Sequence, residues 1–164
     1  MSPMKRIIII ALLAYLFFIL EFILYDLFGP WGQPQLLLLL IVFFGLYAGI
    51  RYSIAAALIA GLLKDIVGLE LWGTHVFIFL CAAYVTTLVR RNFYQPGSPF
   101  SRAAVAFLVL AGSFIVEVLL YLMRHDVHGA ELFTNVFFPQ LLTTMVAVTF
   151  VFNRLRDVAI GLKL

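Results

Sequence analysis

The sequence predicts an all-α integral membrane protein, a compact bundle of six transmembrane helices with both termini in the cytoplasm. Of its 164 residues, 65% are hydrophobic and only 12% are charged, whereas soluble domains average about 45–50% apolar and about 25% charged residues. Most of the apolar runs approach the roughly 20 residues that cross a bilayer, and together they fill nearly the whole chain. This leaves no room for a separate soluble domain, so we expect a single transmembrane domain over residues 1–164.

The first three predicted spans cover residues 5–27, 35–50 and 52–67. The first is an apolar run that follows two cations, and a turn over residues 26–34 that is rich in Gly and Pro ends it. Arg51 marks the turn between the second and third spans. Both of these spans are short, so tilted or partly re-entrant segments, and a total of five spans, remain alternatives.

The last three predicted spans cover residues 71–89, 102–123 and 132–152. The fourth follows a turn that contains glycine and is closed by two arginines, and residues 92–101, with two prolines, form a loop. A polar loop over residues 124–129 separates the fifth span from the sixth, and a short basic tail follows the sixth.

The positions of the cations predict the orientation of the chain. With six spans and a cytoplasmic N-terminus, only Arg124 falls outside and Lys64 falls within a span, while nine Lys and Arg residues fall on the cytoplasmic side. These nine are Lys5, Arg6, Arg51, Arg90, Arg91, Arg102, Arg154, Arg156 and Lys163. Because basic loops are retained in the cytoplasm, this asymmetry places both termini there.

Four ionisable residues lie toward the outer ends of the predicted spans and are the candidates for partner binding or for lining a cavity. They are Glu21, Asp65, His75 and Glu117. Asp or Lys at the centre of a membrane helix costs roughly 2.5–3.5 kcal/mol, so such residues usually serve a function. We expect them to share one depth with Gln140, Thr143 and Thr144. Asp65 can tie neighbouring helices as a structural carboxylate, line a partner or ligand pocket, or carry protons or ions.

Five glycines are predicted to serve helix packing or turns. They are Gly45, Gly49, Gly61, Gly68 and Gly73. Gly45 and Gly49 form a small-xxx-small pair, which permits close contact between helices, including contact with a partner helix. Gly61 and Asp65 fall on one face of the third helix because they are four residues apart. Lys64 points about 100° away from Asp65, so it need not pair with Asp65 and can extend outward.

Catalytic and metal-binding motifs are absent from the sequence. There is no G-x-S-x-G, Gly-rich phosphate loop or H-E-x-x-H. His75, His125 and His128 lack the spacing of a metal site, and no Cys pair supports zinc. We therefore expect no enzyme activity, no cofactor and no metal. The few cations of the tail are a topology signal that can also contact anionic lipid, and they are too few for nucleic acid.

One stretch of the sequence resembles the rod shape-determining protein MreD family. The pattern is Gly61-x-x-x-Asp65-x-x-Gly68-x-x-x-x-Gly73, followed by an apolar helix ending in Ala83-Tyr84. The six-span hydropathy, an apolar run led by Pro34, and Arg51 between the second and third helices also match the family. Lys64 departs from it, because an apolar residue usually stands at that position.

The resemblance implies a non-enzymatic component of the bacterial cell-elongation (rod) complex, located as a multi-pass protein in the inner membrane. Such a protein would bind MreC, a bitopic partner, and help organise peptidoglycan synthesis and cell shape near MreB, RodA and its transpeptidase. The family is also distantly similar in fold to the S components of energy-coupling-factor transporters. The alternative is therefore a substrate-binding subunit of a small-molecule transporter, with a cavity open to the outside.

Overall fold

A computed structural model describes residues 3–29, 33–67, 73–93, 99–123 and 138–161 of the chain. Within these ranges every regular element is an α-helix, and no strand is present. The prediction of an all-α fold is therefore confirmed. The six helices of the described residues are α1 (Pro3–Phe28), α2 (Leu36–Tyr47), α3 (Ile50–Val67), α4 (Thr74–Phe93), α5 (Pro99–Leu122) and α6 (Phe138–Gly161).

The helices follow the predicted order, and the bounds of α1 to α5 differ from the predicted ones by at most four residues. α2 has only 12 residues, because Gly49 adopts a left-handed conformation with a φ of +95° and ends it. The N–H groups of Ala48 and Gly49 both donate to the carbonyl oxygen of Phe44, at 2.9 Å each. α6 continues to Gly161, beyond the predicted end at residue 152, because the basic tail contains no helix-breaking residue before that glycine.

Helix α2 forms the centre of the bundle. Every residue from Leu36 to Leu46 is buried, and α2 contacts each of the other five described helices. These helices surround it in the order α1, α3, α4, α5 and α6, each packed on the next. The Phe43 ring meets the Phe152 ring edge-on at 5.7 Å. Because α2 is apolar on all sides, it is buried on all sides.

The outer surface of the bundle is apolar. On α3, exposed aliphatic side chains recur every four residues from Ile50 to Ile66, and α1, α4, α5 and α6 also expose large apolar side chains. Among the described residues, the segment Met4–Leu27 alone is both long and apolar enough to cross a membrane, while Leu36–Tyr47 and Ala103–Leu119 are shorter apolar stretches. Soluble monomers rarely expose contiguous apolar patches above a few hundred Å², so this surface is unfavourable in water.

Two glycines lie where α4 approaches its neighbours closely. A Cβ atom on Gly61 of α3 would lie 2.6 Å from the Cα of Val76, and one on Gly45 of α2 would lie 2.7 Å from a methyl carbon of Thr86. Gly45 is thus occupied within the chain, while Gly49 lies beyond the end of α2. The prediction that this pair contacts a partner helix is therefore wrong. Gly68 lies outside the described residues.

Candidate functional site

The charged side chains are segregated between the two ends of the bundle. The helices alternate in direction, so the end of α1, the start of α2, the end of α3 and the start of α4 share one end. We call this the acidic end, since it holds the carboxylates of Glu21, Asp26, Asp65 and Glu117. The opposite, basic end holds Lys5, Arg6, Arg51, Arg90, Arg91 and Arg154. Lys64 differs from these cations because it lies at the acidic end.

Asp65, in the last turn of α3, caps the start of α4. Its carboxylate is buried and accepts hydrogen bonds from the backbone N–H groups of Gly73 (2.9 Å), His75 (3.0 Å) and Val76 (3.3 Å). The Nδ1 atom of His75 lies 2.9 Å from the same carboxylate. The first N–H groups of a helix have no partner within the helix, and a negative charge is favourable there. Asp65 therefore acts as an N-cap supplied by the preceding helix.

The local sequence explains how Asp65 reaches α4. Gly61 and Asp65 lie on one face of α3, and the absence of a side chain at Gly61 lets the backbone of Val76 approach this face. Gly73 has a φ of +94°, a conformation that costs most other residues roughly 1–2 kcal/mol. These two glycines bring the first turn of α4 within reach of the Asp65 carboxylate.

Glu21 of α1 performs a similar task at the start of α2. It is 3% exposed, its Oε2 atom accepts a hydrogen bond from the N–H of Leu37 at 3.2 Å, and its Oε1 atom lies 3.0 Å from Nζ of Lys64. The side chain of Gln33 donates a longer bond of 3.5 Å. The residue before α2, Gln35, provides no side-chain cap, so Glu21 supplies the cap from another helix.

Lys64 connects the two caps. Its ammonium group lies 5.8 Å from the centre of the Phe79 ring, a cation–π geometry. On the same ring, His75 packs edge-on at 6.3 Å. We call Glu21, Lys64, Asp65, His75 and Phe79 the polar cluster. It joins α1, α3 and α4 and, through the cap on Leu37, also α2.

The structure brings three of the four candidate residues into this cluster. Glu117 on α5 is half-buried and has no hydrogen bond or ion pair with any other described residue. Lys64 does not pair with Asp65, but the expectation that it extends outward is wrong, because it turns to Glu21 and its side chain is only 24% exposed. Sequence reasoning missed Lys64 and Phe79. The one available signal was a cation next to Asp65, roughly a quarter-turn away on the helix.

Polar side chains of α6 reach the start of α2. The N–H of Gln35 donates to the hydroxyl of Thr144 at 3.0 Å, so α6 also caps α2. Gln35 and Gln140 line a small cleft together with Leu110, Phe114 and Leu141. Thr143 makes its bonds within α6 itself. Among the described residues, no three His, Cys, Asp or Glu side chains gather as a metal site would require.

The basic end holds two further contacts between helices. Arg90 of α4 donates from Nη1 to the carbonyl oxygen of Gly45 at 3.2 Å, so a cation caps the C-terminal end of α2. Arg6 of α1 donates from Nη1 to the hydroxyl of Tyr52 on α3 at 3.1 Å. Charged side chains of other helices therefore hold both ends of α2.

The fold and the polar cluster define a helical bundle in which Glu21, Asp65 and Arg90 cap the bundle's own helix ends beneath an apolar outer surface. The chain belongs to the family of the rod shape-determining protein MreD, whose family model matches residues 4–153. This match confirms the family that the glycine and aspartate pattern predicts. It is a bacterial membrane protein family with a role in rod shape determination, and it is not a known enzyme family. No curated protein and no solved structure matches the chain.

Proposed function

We propose that this protein is a non-enzymatic, multi-pass component of the bacterial inner membrane that binds an MreC-like bitopic protein and helps organise peptidoglycan synthesis. Membership of the MreD family supports the cellular role. The observation that carries the mechanism is that the carboxylates of the polar cluster are engaged by the chain's own donors. The protein would then act on its partner through the fixed arrangement of its helices and through its outer surface.

The hydrogen bonds of Asp65 favour a structural role over transport or proton transfer. An ionised carboxylate has about four acceptor positions, and Asp65 accepts from three backbone N–H groups and faces the His75 ring. A ligand or a relayed proton would need one of these positions. A structural role, in which the Asp65 carboxylate ties α3 to α4, therefore agrees better with these contacts than a ligand pocket or proton transfer does.

The capped ends of α2 agree with a membrane location. A helix of 12 residues, such as α2, is about 18 Å long, whereas the hydrocarbon layer is roughly 30 Å thick. Both ends of α2 would then lie below the membrane surface, where backbone groups must find partners within the protein. Glu21, Thr144 and Arg90 supply such partners. The basic end, where α1 begins and α6 ends, would face the cytoplasm.

The surface for the partner lies on the outer helices, because α2 is enclosed. A partner helix in a bilayer associates through packing and hydrogen bonds and displaces lipid. α1 packs mainly against α2 and α3. It also exposes large apolar side chains from Met4 to Leu27. MreB would meet the basic end from the cytoplasm, and RodA and its transpeptidase would lie nearby in the membrane.

In-cell photocrosslinking would test this proposal. The crosslinker would replace one exposed side chain on each of four outer helices, and the buried Leu39 of α2 would serve as control. The exposed positions are Leu16, Leu58, Leu108 and Val146. We expect capture of a single-pass wall-synthesis protein from one or two of them and no capture from Leu39. Capture of lipid alone at all four positions would contradict the proposal.

The cleft at the start of α2 is the observation that favours the alternative, a substrate-binding subunit of a small-molecule transporter. Gln35 and Gln140 line it among apolar residues, a mixture of polar and apolar lining that small-ligand pockets share, although such pockets are larger. This reading expects a saturable, ligand-induced rise in unfolding temperature that Gln140→Leu abolishes. It would also lead to capture of a large transport subunit in the crosslinking scan.

A further inference from the structure

The cations at the basic end lie in two different electrostatic environments, near helix C-termini or near helix N-termini. α2 and α4 end there, so their C-terminal carbonyl groups favour positive charge, and Arg90 and Arg91 lie in the last turn of α4. Arg90 also binds the carbonyl oxygen of Gly45. These two arginines therefore lie in a matched electrostatic environment.

Arg6 and Arg51 lie in the opposite environment, at helix N-termini. α1 and α3 begin at the basic end, and neither has an acidic residue in its first turn. Unpaired N–H groups make a helix N-terminus positive, so Lys5, Arg6 and Arg51 add cations to ends that attract anions.

The guanidinium of Arg6 is held in place by Tyr52, and one of its nitrogens has no acceptor among the described residues. Its Nη1 atom donates to the Tyr52 hydroxyl, and its central carbon lies 5.7 Å from the centre of the Tyr52 ring. The Nε atom of Arg6 is buried and has no hydrogen-bond partner among the described residues. A buried donor without a partner often marks a missing ion or water. The Tyr52 hydroxyl accepts from Arg6 and can still donate its own hydrogen.

We propose that the adjoining N-termini of α1 and α3 bind the phosphate of an anionic phospholipid. Arg6 and the Tyr52 hydroxyl would donate to the phosphate oxygens, and Arg51 would add charge beside them. Arginine forms paired, charge-assisted hydrogen bonds with phosphate, and basic sites between membrane helices on the cytoplasmic side bind acidic headgroups. Exposed aliphatic side chains continue from this point along both helices, Ile8 on α1 and Ile54 on α3, and suit acyl chains.

Lipid retention by the purified full-length protein tests this site. Native mass spectrometry would follow titrations with phosphatidylglycerol, with phosphatidylcholine of the same chains, and with inorganic phosphate. We expect phosphatidylglycerol to bind best and Arg6→Gln to weaken it about tenfold, the effect of losing a charge-assisted pair. Tyr52→Phe should weaken it roughly threefold, as the loss of one hydrogen bond would. Arg91→Gln is the control of equal charge change at the same end, with less than about twofold effect expected.

Each other result would overturn the site. Equal weakening by Arg6→Gln and Arg91→Gln would mean diffuse attraction to the membrane. Equal binding of the two lipids would remove the selectivity for an anionic headgroup, because phosphatidylcholine carries the same phosphate beside a positive charge. Competition by inorganic phosphate at the same concentration would identify a free anion as the ligand. If Arg6→Gln does not fold, Arg6→Lys and Tyr52→Phe carry the test. This inference rests on the proposed membrane location but not on the proposed partner. The crosslinking scan can therefore fail to capture a partner while the protein still selects the anionic lipid, and the scan can capture a partner when the protein shows no lipid selectivity.

Discussion

The polar cluster predicts a measurable cost for replacing Asp65 by asparagine. Oδ1 accepts from the N–H of His75 and faces its ring, while Oδ2 accepts from the N–H groups of Gly73 and Val76. Asparagine keeps one acceptor oxygen, so either the N–H groups of Gly73 and Val76 or the N–H of His75 lose their acceptor, depending on how the amide turns. Hydrogen bonds to a charged group contribute about 1.5 kcal/mol or more each, and those measured in membrane proteins average about 0.6 kcal/mol. The expected loss of unfolding free energy is therefore about 1–3 kcal/mol.

The assay combines global and local measurements on the protein in detergent. Denaturant unfolding gives the free energy, and hydrogen exchange reports the amides of His75 and Val76. A loss of about 1–3 kcal/mol corresponds to exchange that is roughly five- to 150-fold faster, since tenfold corresponds to 1.4 kcal/mol. Asp26→Asn, an exposed carboxylate of α1 at the same end, is the matched control with no expected effect. In cells, Asp65→Leu should disturb rod shape or partner co-purification. Unchanged stability and unchanged exchange at α4 would refute the capping role.

Two further predictions address how α3 packs. Gly61→Ala should lower the unfolding free energy by about 1–3 kcal/mol, because the new methyl group would meet the backbone of Val76 at 2.6 Å. The control Gly112→Ala, whose new methyl group would meet nothing within 4 Å, should be neutral or stabilising. Equal effects of the two substitutions in thermal unfolding would contradict the close contact. A double-mutant cycle of Glu21→Gln and Lys64→Met should give a coupling energy of about 0.5–3 kcal/mol, as expected for residues in contact, and strict additivity would show that the pair does not stabilise the fold.

The order and type of the elements followed from the sequence, and so did the family. The hydrophobic runs and their breaks predicted helices whose bounds mostly lie within a few residues of the structure, because Gly, Pro and charged residues act locally on the backbone. The largest difference is at the end of α6, and α2 is shorter than predicted. Gly49 stops it early through a left-handed C-terminal cap, and the small-xxx-small pattern had suggested a packing face at the same residue.

The candidate site could be predicted only in part. That Gly61 and Asp65 share a face, and that Glu21, Asp65 and His75 lie at one end of the bundle, follow from helical periodicity and alternating helix direction. Which helix each face meets does not follow from either. Glu117 is of the same residue type as Glu21 and lies toward the same end of the bundle, yet only Glu21 reaches the polar cluster.

By itself, the sequence determined an all-helical, apolar chain of the MreD family with its carboxylates toward one end. Only the tertiary structure decided that α2 is enclosed by all the other described helices, that Lys64 binds Glu21, and that Arg6 binds Tyr52. The reason is physical. Local sequence sets backbone conformation and the direction of each side chain within its own helix, whereas the neighbours of a helix depend on how every apolar face packs at once.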